Sequence, residues 1–225
     1  LQKLLPSRNP NTTIRRLAVS TEGLEQFYCA SISTAASFPH LRKLNTTLDI
    51  SQSPGQWSQS GLMDLKALRG LTLRLIGTAQ TGQRRTNSLI DFLRQWKTLA
   101  GLSQLSALTI TLDVGGGDVS LDKFHLSTVA FPPNLRLLNL YVDRASSMKK
   151  LLATNTILRR RKKQLSGLPG SLRRLHVSRH FLPVLASTSD WPASLEWITW
   201  YAADGVSTEG VQSDYIKTFD WRLHL

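Results

Sequence analysis

"LPGSLRRLHVS", residues 168–178, decides the fold. Leu172, Leu175 and Val177 fall at relative positions 0, +3 and +5, while Arg173, Arg174 and His176 fill the gaps. Side chains alternate across a strand, so +3 and +5 share one face of a short extended segment. The residue at 0 sits just before that segment, where an incoming turn folds it into the same core. Pro169 precedes the strand, where a fixed φ and a missing N–H suit an entry turn and would not suit the strand's middle.

The same spacing recurs along the chain. It begins as Ile14-Leu17-Val19 and Leu41-Leu44-Thr46, then Leu68-Leu71-Leu73 and Leu105-Leu108-Ile110. Leu135-Leu138-Leu140, Leu172-Leu175-Val177 and Leu195-Ile198-Trp200 complete seven copies. First positions are separated by 27, 27, 37, 30, 37 and 23 residues. Lead-ins "FPH", "FPPN", "LPGS" and "WPAS" place an apolar residue and a proline before several strands. The spacing predicts strands near residues 15–20, 42–50, 69–75, 106–112, 136–142, 173–178 and 196–201. Between them, "TNSLIDFLRQW" sets Leu89, Phe92, Leu93 and Trp96 on one helical face, with Thr86 or Asn87 as its cap. "TEGLEQFYCASI" aligns Leu24, Phe27, Tyr28 and Ile32 in the same way.

Strand followed by helix also describes a doubly wound α/β sheet. Strands buried on both faces read as near-continuous apolar runs, whereas these are half-polar, which predicts parallel strands with one exposed face. The repeat resembles the leucine-rich repeat family, whose core signature is L-x-x-L-x-L, and the resemblance spans residues 14–201. It is most similar to irregular, long-repeat members. The resemblance implies an α/β fold: a single solenoid domain over residues 1–225, with a curved parallel sheet on the concave side and helices or irregular connectors on the convex side. The family's Asn or Cys after the last apolar position, which ties neighbouring loops, is mostly missing, leaving Ser178 or Asp113 to substitute. A non-repetitive α/β domain is the alternative.

On a curved sheet, positions +2, +4 and +6 project from the concave face. They run from Arg16, Ala18, Lys43, Asn45 and Thr47 to Arg174, His176, Ser178, Trp197, Thr199 and Tyr201. The face is polar in its first half, then basic, then aromatic. Arginine and aromatic side chains dominate interface hot spots, and both stack on RNA bases. Tyr141, His176, Trp197 and Tyr201 are therefore candidate protein contacts; the competing reading is a solvated sheet surface with Trp191 and Trp200 packing its end.

The formal charge is +13, and it is concentrated. Residues 144–179 hold eleven basic and no acidic residues, leaving 17 of the 28 basic residues against 15 acidic ones elsewhere. Within 146–165, Met148, Leu151, Leu152 and Leu158 suggest a basic helical connector ending in "RRRKK", with cations near a helix C-terminus. A nuclear import signal, a solvated helix end and a membrane-surface helix compete for this segment. Phosphate-backbone contact fits it best, giving Lys149, Lys150, Arg159, Arg160, Arg161, Lys162, Lys163, Arg173, Arg174 and Arg179 as candidate nucleic-acid ligands.

Other chemistry finds little support. "GGGD" at 115–118 lacks the Gly-Lys-Ser/Thr ending of a phosphate loop and reads as a turn. The five histidines are scattered without HExxH, and no GxSxG occurs. Cys29, the one cysteine, excludes an internal disulfide or CxxC zinc site within these residues and reads as a buried structural thiol. No run of 18 apolar residues suggests a membrane span. The chain starts at Leu1 and not Met, so the native start is expected upstream, with any targeting segment undefined.

The expectation is a non-catalytic docking protein with no cofactor and no small-molecule substrate. It would bind structured RNA and neighbouring proteins in a ribonucleoprotein assembly, such as a ribosome or an organellar (mitochondrial) ribosome. The alternative is a protein-recognition adaptor, such as the substrate receptor of a ubiquitin ligase, using the concave face. An intracellular location, organellar or nuclear, fits either reading.

Overall fold

The structure, a computed structural model, describes residues 15–19, 38–50, 65–76, 83–95, 97–115, 121, 124–143, 164–165, 167–181, 184–185, 188–201 and 216–219. It is an α/β fold built on a mostly parallel sheet with few helices. In chain order, β1 is Arg16–Val19, β2 Lys43–Asp49 and β3 Gly70–Ile76, followed by α1, Gln83–Gln95. Next come β4 (Ala107–Asp113), β5 (Leu137–Asp143), β6 (Gln164–Leu165) and β7 (Arg174–Ser178). The last elements are β8 (Thr188–Ser189), β9 (Trp197–Tyr201) and β10 (Ile216–Phe219). The sheet order is β1-β2-β3-β4-β5-β7-β9-β10, with β6 and β8 paired separately.

Each of the seven expected strands is present to within about a residue of its expected bounds. They pair in parallel, each with the next, and without stagger: Arg16 faces Lys43, Lys43 faces Gly70, Gly70 faces Ala107, and Ala107 faces Leu137. The same row continues through Arg174 to Trp197. An eighth strand, β10, was not anticipated; it pairs antiparallel with β9.

Entry to six of these strands is a turn closed by the N–H of position 0 onto the carbonyl three residues earlier. Leu41 donates to Phe38, Leu68 to Leu65, Leu105 to Leu102, Leu135 to Pro132, Leu172 to Pro169 and Leu195 to Pro192, at 2.9–3.3 Å. That turn swings each position-0 leucine under the sheet, where none is more than 1% exposed. Positions +3 and +5 join them: Leu44, Leu71, Leu108, Leu138, Leu175 and Ile198, with Leu73, Ile110, Leu140 and Val177. Burying one such side chain contributes roughly 1.5–3 kcal/mol, so this comb of leucines is the main stabiliser of the sheet.

The connectors behind the sheet are less helical than expected. Among the described residues α1 is the sole α-helix of several turns, burying Leu89, Phe92 and Leu93 as its periodicity predicts, together with Ile90. Its start is a correction: the helix begins at Gln83, so Thr86 and Asn87 lie inside it, and Thr86 is fully buried. Short 3-10 turns at Lys97–Gly101, Leu126–Thr128 and Arg179–Phe181 fill other connectors. Phe124 and Phe181 meet edge to face at 5.6 Å, and Gly167, at φ +59, packs directly on the Ser127 backbone. The helix expected over residues 21–32, with Cys29, lies outside the described residues, as does the connector from 146 to 163. The last two residues of that connector, Gln164–Leu165, are not helical but form β6 against Thr188–Ser189.

Candidate nucleic-acid interface

Aligning the seven copies on position 0 exposes a column at +1: Arg15, Arg42, Arg69, Ser106, Arg136, Arg173 and Glu196. The backbone holds this column straight. The carbonyl of each +1 residue accepts two N–H groups from the next repeat, those of its +1 and +2 residues. Arg42 and Lys43 donate to Arg15; Arg69 and Gly70 donate to Arg42. Ser106 and Ala107 donate to Arg69, Arg136 and Leu137 to Ser106, and Arg173 and Arg174 to Arg136. Glu196 and Trp197 complete the series on Arg173, and all these bonds are 2.8–3.1 Å long. At a strand spacing of about 4.8 Å, five intervals place Arg15 roughly 24 Å from Arg173 along the sheet's entry edge.

All five arginines of the column are exposed, as are Arg16, Lys43 and Arg174 beside them at +2. Among the described residues one carboxylate pairs with this edge, Glu196, 3.6 Å from Arg173. Like charges near 5 Å apart repel by just under ~1 kcal/mol per pair in water, less as side chains splay. The edge therefore carries an electrostatic cost that an anion relieves.

A second polar series clamps the same edge. Ser194 Oγ lies 2.6 Å from the carbonyls of both Gly170 and Leu172, with one proton to donate to either, and Ser171 Oγ lies 2.8 and 2.9 Å from those of Pro133 and Leu135. Asn134 reaches Ser103 at 2.7 Å, and Ser106 Oγ reaches Arg69 at 3.1 Å. Neighbouring repeats are thus tied before the strand, by the residue at −1 in three copies (Asn134, Ser171 and Ser194) and by Ser106 at +1 in a fourth. After the strand, Ser178 Oγ accepts the Val142 N–H at 3.2 Å, so the substitution expected of Ser178 is made there.

The exit edge is compensated. Arg74 donates through one nitrogen to Asp113 (2.8 Å) and Asp143 (2.6 Å), crossing three strands, and the Asp113 carboxylate also accepts the Gly115 N–H at 3.2 Å. Gly115 has φ +67, and the Arg85 guanidinium sits where a β-carbon would project. Among the described residues, basic charge at the entry edge is therefore matched only by Glu196, whereas Arg74 at the exit edge meets two carboxylates.

Between the edges lies the polar face. The +2 row reads Arg16, Lys43, Gly70, Ala107, Leu137, Arg174 and Trp197; the +4 row reads Ala18, Asn45, Thr72, Thr109, Asn139, His176 and Thr199. Small side chains at Gly70 and Ala107 leave an open groove of about 460 Å³, lined by Arg16, Lys43, Asn45, Thr72 and Thr109 among others. Deeper in the +4 row, Asn139 Nδ2 donates to Thr109 Oγ1 at 2.8 Å.

The sequence-derived candidates divide accordingly. Arg173 and Arg174 are exposed and adjacent on the entry edge. Arg179 is not with them: it opens the turn after β7, half-buried, at the opposite end of the strand and roughly 16 Å away. Burial pushes its guanidinium below the ordinary value. Tyr141 is 8% exposed, too buried for a docking contact; side-chain packing claims this +6 position. His176 is half-buried, its pKa lowered by that burial and then by the Arg174 charge. Among the described residues Trp197, at 51% exposure, is the one large apolar side chain that projects from the surface. Tyr201 is placed by backbone register alone, opposite Ser178 and Ile216. Lys149, Lys150, Arg159, Arg160, Arg161, Lys162 and Lys163 lie outside the described residues. Sequence reasoning missed Arg15, Arg42, Arg69 and Arg136, although the signal was there: arginine occupies +1 in five of seven copies.

Among the described residues no group of three His, Cys, Asp or Glu side chains could hold a metal ion, and no helix is long and apolar enough to cross a membrane. No family model, curated protein or solved structure matches the chain.

Proposed function

We propose that this protein is a non-catalytic docking protein built as a leucine-rich-repeat-like solenoid, and that its strand-entry edge binds the phosphate backbone of RNA within a ribonucleoprotein assembly. One observation carries this reading: five exposed arginines stand in a straight column at strand spacing, with a single carboxylate paired to them among the described residues. Parallel strands paired without stagger, each preceded by the same turn and buried leucine, support the solenoid. Cations in such an array displace condensed counterions from phosphates, so affinity comes from charge and not from base identity. Neutralising about five phosphates of a single strand gives a log–log salt slope near −3.5. Reversing Arg42 and Arg69 to Glu is expected to make that slope shallower by about 1.4 and to weaken binding at every salt concentration. Unchanged affinity and slope sink the proposal.

Trp197 favours a second reading, in which the face docks a protein. A tryptophan half-exposed beside Arg174 has the character of an interface anchor. Affinity purification of the full chain separates the two: partners lost on nuclease treatment support RNA, and partners retained but lost in Trp197→Ala support the adaptor.

A further inference from the structure

The arginine column runs as one line along the entry edge, backed by Arg16, Lys43 and Arg174 in three copies and standing alone at Arg69 and Arg136. A duplex offers two backbones and keeps its bases paired inward, whereas a single strand offers one backbone and free base faces. Immediately inside the column, the sheet provides somewhere for a base to go. The +2 row drops to Gly70 and Ala107 between Lys43 on one side and Leu137 on the other. A β-carbon built at Gly70 would meet first the flexible Lys43 side chain, at 3.3 Å, and then the Arg42 carbonyl at 3.9 Å, so the floor at Gly70 is bordered by a side chain that can move aside. One row deeper stand Asn45 and Thr72, which line the same groove. The +1 and +4 rows are about 10 Å apart, the reach of one nucleotide from phosphate to base edge.

We infer that the ligand of the entry edge is single-stranded RNA, whose phosphates follow the arginine column while one unstacked base enters the groove floored by Gly70 and Ala107. This rests on the RNA-docking reading above and adds strandedness and a base site to it. Lys43 and Arg16 hold the phosphate at the groove mouth, and the Asn45 amide and Thr72 hydroxyl meet the base edge. Single strands are recognised in this way elsewhere: splayed bases are held on their faces and edges, and the backbone by cations.

The test is fluorescence anisotropy on the full chain, with a labelled unstructured 12-nucleotide RNA and a duplex RNA of equal length. Gly70→Val and Ala107→Leu each fill the groove without changing charge, and valine favours a strand. Thermal unfolding checks that both variants fold, and either one suffices if the other does not. The wild type is expected to bind the single strand at least ten-fold tighter than the duplex. Each filling variant is expected to lose about ten-fold for the single strand, the scale of one base contact, with its salt slope intact. Groove variants that bind like wild type, while Arg42→Glu/Arg69→Glu weakens binding, overturn the base site and leave the docking reading standing. Equal or tighter duplex binding overturns strandedness in the same way. Absence of RNA binding at low salt overturns both.

Discussion

Replacing Arg74 with leucine tests whether the exit edge is held by charge or merely decorated with it. The guanidinium is 27% exposed as a side chain, and its two acceptors, Asp113 and Asp143, are 4% and 15% exposed. Charge-assisted hydrogen bonds are each worth about 1.5–3 kcal/mol net, and removing one partner of a buried pair costs about 3–5 kcal/mol. Partial exposure of Arg74 moves the expected loss to the lower end, about 3 kcal/mol. The aspartates are direct cross-strand partners, so without Arg74 two carboxylates stand roughly 5 Å apart. At an effective dielectric near 20 their repulsion is about 3 kcal/mol, comparable with the whole loss. Arg74→Leu/Asp143→Asn should therefore recover more than half of what Arg74→Leu removes. Urea unfolding followed by circular dichroism measures both, and thermal melting should show a drop of about 6–12 °C for the single variant in a chain of 225 residues. A single variant within 0.5 kcal/mol of wild type, or a double variant no more stable than the single, refutes the reasoning.

Four further outcomes follow from features already described. Ser171→Ala removes a hydroxyl placed against two carbonyls of the preceding repeat and should cost about 1 kcal/mol in urea unfolding. Gly167→Ala forces a β-carbon onto the Ser127 backbone at positive φ, so its urea midpoint should fall well below that of Gly170→Ala, where the space is open. Leu172→Ala empties a fully buried site and should cost about 2–5 kcal/mol, whereas Arg173→Ala beside it should leave stability nearly unchanged and weaken RNA binding. His180 is 3% exposed with neither ring nitrogen hydrogen-bonded, and burial, aided by Arg179, pushes its pKa down to about 4. The unfolded chain takes up this proton near pH 6.5 and the folded chain does not. Stability should fall as pH drops from about 6.5 towards 4, by at most about 3 kcal/mol, and His180→Phe should flatten that part of the profile.

The strands were legible because their determinants are local. A leucine at 0 and apolar residues at +3 and +5 need no partner to be recognised, and the proline lead-ins mark the same boundaries. The start of α1 was misread because Gln83, Arg84 and Arg85 carry no apolar periodicity, so the helix was visible only from its buried face onward. β10 escaped because its four residues have no lead-in and no repeat partner; it is defined by pairing with β9. The Arg74 bridge joins residues 39 and 69 positions apart, which only the unstaggered register brings together. Charge was the instructive case. Read along the chain, the basic residues cluster at 144–179; read across the strands, five arginines scattered from 15 to 173 form the column. The first pattern is contiguous in sequence and the second in space, so only a fixed register converts one view into the other.

That register has a consequence for how the chain tolerates change. Each main strand pairs with those of adjacent copies, and the loops joining successive copies already differ by more than a dozen residues in length. Doubling a flexible loop costs only about 0.6 kcal/mol in closure entropy. Insertions behind the sheet should therefore be absorbed with the exposed columns undisturbed, and a single residue inserted within a strand should invert one copy's faces. The molecule separates a pitch that cannot drift from loops that can, and a lineage could lengthen those loops freely while keeping the spacing of its cations.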